Sequence, residues 1–251
     1  MARETQAATF PQEMHIFLLI LLCFVAARRC QSFTSVPLLE HLSAQNYSIL
    51  CLGDSLTEGM FLVQPPGKKG HAEVLWRPYS NRLQALLPRI KVVNAGVSGE
   101  RTDQILHRVP SELERGGSKI GLVIVLGGTN DMVSDSITTA DVISHLDLIH
   151  QSVWAKGAST VSITMPALSW IRNLPNSIAK YKAVNQHLRE LRRTKPSQMV
   201  GLLDLEERFV PQESEENRFF WGIDNAHLSD KGYERVAELL FKELERSAVR
   251  V

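Results

Sequence analysis

From Tyr47 onward the chain alternates short apolar runs with longer stretches of helical periodicity, the pattern of successive βαβ units around a parallel sheet. The predicted strands are 47–52 (YSILCL), 90–94 (IKVVN), 121–126 (GLVIVL), 160–164 (TVSIT) and 200–204 (VGLLD). Several are nearly unbroken hydrophobic runs, as strands covered on both faces must be. Helices are predicted over 80–87, 102–113, 140–156, 177–193 and 230–248, the last with Val236, Leu239, Leu240 and Leu244 on one face. The expectation is a three-layer α/β/α sandwich with a mainly parallel sheet of about five strands.

The segment 60–78 interrupts this rhythm. Pro65-Pro66-Gly67 and Gly70 are strong turn punctuation, so it reads as a long loop. Leaving the first strand at its carboxyl end, such a loop would flank a ligand site. It would be either a source of substrate contacts or an insertion with a solvated Lys68-Lys69 pair.

The chain has 251 residues, 44% hydrophobic and 22% charged, enough for one sizeable core. Lys+Arg number 28 against 27 Asp+Glu, and no basic run is interleaved with aromatics, so nucleic acid is not expected as a partner. The cysteines, Cys23, Cys30 and Cys51, form no CxxC pair and no cluster with histidines, so no metal is implied. Cys51 lies in an apolar run and reads as a buried thiol.

Residues 1–30 stand apart. Ile16 to Ala27 (IFLLILLCFVAA) is uncharged and apolar, shorter than the ~20 residues of a membrane-spanning helix and of signal-peptide length. Entry into the secretory pathway is expected, with two outcomes open: a cleaved signal peptide and an extracellular protein, or a retained membrane anchor. Asn46-Tyr47-Ser48 would then be a glycosylation acceptor sequence. The catalytic domain is placed at 47–248.

Three consecutive predicted strands end in glycine-bearing turns with small polar residues. These are Gly53-Asp54-Ser55-Leu56-Thr57-Glu58-Gly59, Asn94-Ala95-Gly96-Val97-Ser98-Gly99-Glu100, and Gly127-Gly128-Thr129-Asn130-Asp131. Before the last helix, Asp224-Asn225-Ala226-His227 puts a carboxylate three residues ahead of an imidazole. A lone serine at a strand-to-helix turn is more often a cap than a nucleophile. Four such blocks in series are another matter.

Together they resemble the SGNH (GDSL) hydrolase family over about residues 47–248, which implies a flavodoxin-like sheet order and an ester-cleaving activity without a cofactor. The resemblance assigns Ser55 as nucleophile, His227 as its base, Asp224 as the carboxylate that orients the imidazole, and an oxyanion hole made by the N–H groups of Ser55 and Gly99 with the Asn130 side chain. The chemistry requires those types: a hydroxyl needs a base, the imidazolium a carboxylate, and the oxyanion donors fixed in place. Asp54 and Asp131 are expected to serve as structural hydrogen-bond acceptors.

The Gly-x-Ser-x-Gly elbow of α/β-hydrolases fails at Thr57 and at Glu100, and Gly67-Lys68-Lys69-Gly70 lacks the phosphate-loop pattern. Of the other histidines, only His71 falls where it could line the cleft. Trp76, Trp170 and Trp221 are candidates to wall an acyl pocket or to cover core. With no broad apolar lid visible, a short-chain ester or thioester is the expected substrate, drawn from small-molecule, lipid or sugar esters. Acyl transfer and a non-catalytic binding module on the same scaffold are the alternatives.

Overall fold

The structure, a computed structural model, describes residues 35–67, 70–117, 119–167, 171, 174–209 and 218–250. The segment 1–30, the Lys68-Lys69 pair and Trp170 lie outside them. In chain order the strands are β1 (Ser35–Pro37), β2 (Ser48–Gly53), β3 (Met60–Val63), β4 (Glu73–Trp76), β5 (Val92–Gly96), β6 (Ile120–Leu126), β7 (Ser159–Ile163), β8 (Met199–Leu203) and β9 (Ala248–Arg250). The helices are α1 (Leu38–Ala44), α2 (Ser55–Glu58), α3 (Tyr79–Leu86), α4 (Thr102–Glu114), α5 (Thr139–Ala155), α6 (Pro175–Thr194), α7 (Leu205–Arg208) and α8 (Asp230–Arg246).

Five strands form one parallel sheet in the order β5-β2-β6-β7-β8, which is the flavodoxin-like order expected. All six residues of β2 are buried, because a central strand in such a sheet is covered by helices on both faces. Right-handed crossovers decide which helix covers which face. The chain runs from β2 out to β5 through α3, then back across to β6, β7 and β8 through α4, α5 and α6. Reversing direction puts α3 on one face and α4–α6 on the other. In agreement, α8 packs on α3 and α1, whereas α4, α5 and α6 pack on one another.

That reversal creates a switch point between β2 and β6, the place where open α/β sheets hold ligands. Ser55 follows β2 and Asn130 follows β6.

The last helix shows how the local code works. Ser229 caps it by accepting from the Gly232 N–H at 3.1 Å, and Tyr233, Val236, Leu240 and Leu244 repeat at helical spacing into the core. Burying each contributes about 1.5–3 kcal/mol. The helix ends at Arg246, two residues short of the predicted boundary.

The segment 60–78 is not a featureless loop. Met60–Val63 and Glu73–Trp76 pair antiparallel as a hairpin, and Pro65-Pro66-Gly67 lies in its connection. The turn residues were read correctly, but the four-residue runs MFLV and EVLW are too short to stand out as strands by periodicity. Pairing satisfies their backbone groups against each other.

No helix among the described residues is long and apolar enough to cross a membrane.

Candidate active site

Each functional side chain is carried by a turn that leaves a strand or enters a helix. At the end of β2, Asp54 accepts from the Leu56 N–H at 3.0 Å and so caps α2, whose first residue is Ser55. The backbone of this short helix lies directly on β5: a Cβ on Gly96 would meet the Glu58 nitrogen at 2.1 Å. Only glycine permits that approach. Asn94 secures the same contact, its side-chain amide donating to the Thr57 carbonyl at 2.7 Å and the Ser80 hydroxyl at 2.9 Å.

The loop 221–228 brings the C-terminal pair to Ser55. Trp221 and Leu228 form an antiparallel bridge, the Gly222 N–H donates to the His227 carbonyl at 2.8 Å, and Asn225 takes the left-handed conformation at φ 57°. Asparagine tolerates that conformation better than most residues. Inside the turn Asp224 Oδ1 accepts from the N–H groups of Ala226 and His227, each at 3.1 Å. Its other oxygen lies 2.6 Å from His227 Nδ1, and His227 Nε2 lies 2.9 Å from Ser55 Oγ. With the ring proton on Nδ1, His227 donates to Asp224 and accepts from the Ser55 hydroxyl. Partial burial works against ionisation of Asp224, but the His227 ring and the two N–H groups outweigh it and hold its pKa below the ordinary value.

Gly99 has φ 82° and is exposed, with nothing near the place a side chain would occupy, so its loop is open to a ligand. The preceding Ser98 donates from both its N–H, at 3.0 Å, and its hydroxyl to the carboxylate of Glu58 on the helix that Ser55 opens. Asn130 opens a 3-10 turn after β6, and its amide donates to the Glu100 carbonyl at 2.8 Å, leaving its second N–H. The structure therefore gathers Ser55, Asp224 and His227 into one contact chain. It ties the Gly99 loop to Asn130 and, through Glu58, to α2.

A second layer of buried polar groups fixes these turns. Arg108 on α4 donates to the carbonyls of Gly53 (2.9 Å) and Ala95 (2.6 Å) and to the Glu100 carboxylate (2.7 Å), and pairs with Glu112. One guanidinium thus binds the ends of β2 and β5 to the Gly99–Glu100 loop. Asp131, fully buried, accepts from the Thr102 hydroxyl at 2.6 Å and its N–H at 3.0 Å, and Thr102 in turn meets His145 at 3.1 Å. The Lys180 ammonium donates to the carbonyls of Asp131, Ser134 and Ile137, clamping the turn beyond Asn130. Sequence reasoning missed Glu58, Arg108 and Lys180. For Arg108 a signal was present: Ile105, Arg108, Val109 and Glu112 share one helical stripe, and a charge there needs a buried partner.

Asp54 and Asp131 both act as structural acceptors, and both are pushed upward by burial. For Asp54, fully buried, desolvation outweighs the Leu56 N–H and the nearby His227 and raises the pKa to about 7. Between the ordinary carboxylate pKa and about 7, the folded protein holds a proton that the unfolded chain releases. Its contribution to stability is therefore full at acid pH and is lost as pH rises through that window. Asp54→Asn keeps the cap acceptor and removes the titration. Urea melts from pH 5 to 8 are expected to show the variant gaining on wild type by about 1 kcal/mol per unit toward pH 7. Parallel curves would contradict a raised Asp54.

A second serine–histidine contact, Ser162 Oγ to His150 Nε2 at 2.8 Å, is sealed in the core, where His150 also meets Thr160 at 2.9 Å. Burial lowers the His150 pKa to about 3 and leaves the ring neutral and out of a substrate's reach. Trp221 is buried and covers core, Trp76 is 56% exposed, and His71 is exposed ahead of β4. Cys51 is buried and free.

The model of the GDSL-like Lipase/Acylhydrolase family matches residues 51–235. Among curated proteins no sequence relative is found. Solved structures with the same fold include a lipase/acylhydrolase from Enterococcus faecalis, 21% identical over 80% of this chain and 97% of that one, with a TM-score of 0.62. A carbohydrate acetylesterase from Sinorhizobium meliloti is 20% identical over 79% of this chain and 98% of its own, at a TM-score of 0.61. A psychrotrophic esterase from Pseudoalteromonas, inhibited by monoethylphosphonate, is 16% identical over 79% and 97%, at a TM-score of 0.58.

Proposed function

The chain belongs to the GDSL-like lipase/acylhydrolase family, and from that premise we propose that it is a serine hydrolase cleaving carboxylic esters or thioesters through an acyl-enzyme on Ser55. The observation that carries the proposal is the contact chain from Ser55 Oγ to His227 Nε2 at 2.9 Å and from His227 Nδ1 to Asp224 at 2.6 Å. An intact chain of this kind favours catalysis over a binding module on the same scaffold.

The Ser55 oxygen attacks the acyl carbon while its proton passes to His227 Nε2. Negative charge collects on the former carbonyl oxygen, where the N–H groups of Ser55 and Gly99 and the free N–H of Asn130 receive it. Collapse expels the alcohol or thiol, which takes the proton from His227. Water then gives a proton to His227 and attacks the acyl-enzyme, and the acid leaves as Ser55 recovers its proton. Asp224 stays ionised throughout, holding the tautomer and balancing the imidazolium. Every proton and electron pair is accounted for by these groups and water. The similar structures named above, two esterases and a lipase/acylhydrolase, support an ester as the substrate class.

A p-nitrophenyl alkylphosphonate tests the assignment, because it leaves a stable tetrahedral adduct on an activated serine. The expected result is one phosphonyl group on the peptide carrying Ser55, formed in step with loss of p-nitrophenyl acetate hydrolysis. Labelling elsewhere, or equal labelling of Ser55→Ala, would sink the proposal.

A further inference from the structure

Resting on the ester-hydrolase reading of this site, we propose that the outer face of the β3–β4 hairpin is the wall along which the substrate's acyl chain lies, and that the preferred acyl group is therefore of medium length.

The face is defined by register. Met60 stands opposite Trp76 and Leu62 opposite Val74, and directly opposed residues of an antiparallel pair project to the same side. Phe61, between Met60 and Leu62, projects to the other side, where it is 4% exposed and packs on Tyr233 with ring centroids 6.4 Å apart. Phe61 thus anchors the hairpin to the core, whereas β4 is exposed along its whole length, Leu75 opposite Phe61 included at 37%. On the outer face Trp76 is 56% exposed and Val74 39%.

The hairpin is joined to the site at two points. Met60 Sδ lies 3.7 Å from the hydroxyl of Ser98, the neighbour of Gly99, so this side of the hairpin adjoins the loop assigned to the oxyanion. The Leu62 carbonyl accepts from the N–H of Ile223 at 3.4 Å, and Ile223, 54% exposed, immediately precedes Asp224. The strand itself leaves α2 after a single residue, Gly59, and is held by the Tyr233 hydroxyl donating to the Met60 carbonyl at 2.7 Å. The wall proposed for an acyl group on Ser55 is therefore a set of apolar side chains on a hairpin tied to both the loop assigned to the oxyanion and the Asp224–His227 turn.

Indole and branched aliphatic side chains left in water are a loss that an alkyl chain would reverse. A fully buried methylene is worth roughly a four-fold gain in affinity. Against an open wall, which covers a chain on one side, about two-fold per methylene is the corresponding scale. The six methylenes that separate octanoate from acetate then favour octanoate by tens-fold, against the short-chain substrate expected from sequence.

The test is the ratio of kcat/KM for p-nitrophenyl octanoate to that for the acetate, both below the octanoate ester's solubility limit. In wild type the ratio is expected to exceed about ten. Trp76→Ala is expected to lower it at least five-fold, Trp76→Phe to keep most of it, and Leu148→Ser, at an exposed apolar position on α5, to leave it alone. A ratio unmoved by Trp76→Ala, or a wild type that prefers acetate, overturns the wall. So does an octanoate preference that arises only above the solubility limit, which would mean adsorption to a lipid surface. Ser55→Ala run alongside separates the two levels. If it hydrolyses both esters like wild type, the hydrolase reading fails and the acyl wall with it; if it is inactive while the ratio stays fixed, the wall alone fails.

Discussion

His227→Ala and Ser55→Ala are each expected to lower kcat for ester hydrolysis by roughly 10⁴–10⁶-fold, and the double variant is expected to be no worse than either. The reason is that in the proposed mechanism the two groups act as one. Without His227 the Ser55 hydroxyl has no base at its 2.9 Å contact, and without Ser55 the imidazole has no nucleophile to activate. Asp224→Ala should cost less, on the order of 10⁴-fold, because the imidazole is still present but loses the partner that holds its tautomer and balances its charge. What remains in every variant is the contribution of the oxyanion donors and of binding. Fold loss is not expected to contaminate the comparison, since the His227 and Asp224 side chains lie at the protein surface margin, 17% and 22% exposed. The measurement is kcat on p-nitrophenyl acetate beside far-ultraviolet circular dichroism. Additive losses in the double variant would mean that Ser55 and His227 do not share a step.

Arg108→Met is expected to have the largest effect on stability among the substitutions considered. The guanidinium is 14% exposed and serves the carbonyls of Gly53 and Ala95 together with Glu100 and Glu112. Methionine fills much of the volume but donates nothing, so two carbonyls lose a donor, Glu100 loses its counter-charge and Glu112 keeps only the exposed Arg115 at 3.1 Å. Removing one partner of a buried pair costs about 3–5 kcal/mol, which in a chain of this size lowers Tm by roughly 6–20 °C. Activity should fall even well below Tm, because the Glu100 carbonyl that holds Asn130 sits on the freed loop. Arg108→Lys should not restore stability fully, since an ammonium cannot span the same fork of acceptors. Thermal melts and kcat at low temperature check both parts. An unchanged Tm would show that water replaces the guanidinium at little cost.

Much of this was legible before any coordinates. The five strands of the sheet lie within two residues of the runs YSILCL, IKVVN, GLVIVL, TVSIT and VGLLD, because parallel strands covered on both faces are rich in apolar and β-branched residues, several of them as nearly unbroken runs. The structural role of Asp54 was legible for a similar reason: it accepts from a backbone N–H two residues away, a distance the sequence displays directly. The hairpin was not, since its strands are four residues long and their meaning depends on each other.

The sequence by itself determined the local pieces: where strands and helices begin, which turns carry Ser55, Gly99 and Asn130, and that Asp224 stands one turn from His227. It could do so because periodicity, capping and turn preference act over a few residues. Only the tertiary structure decided that Ser55 and His227, 172 positions apart, lie within hydrogen-bond reach, that Arg108 rather than another cation binds the sheet edge, and that Trp76 stands opposite Met60 with more than half its surface exposed. Those outcomes follow from the order of strands in the sheet and from which buried polar groups find partners. Both are settled by packing over the whole core, where no short stretch of sequence holds the information.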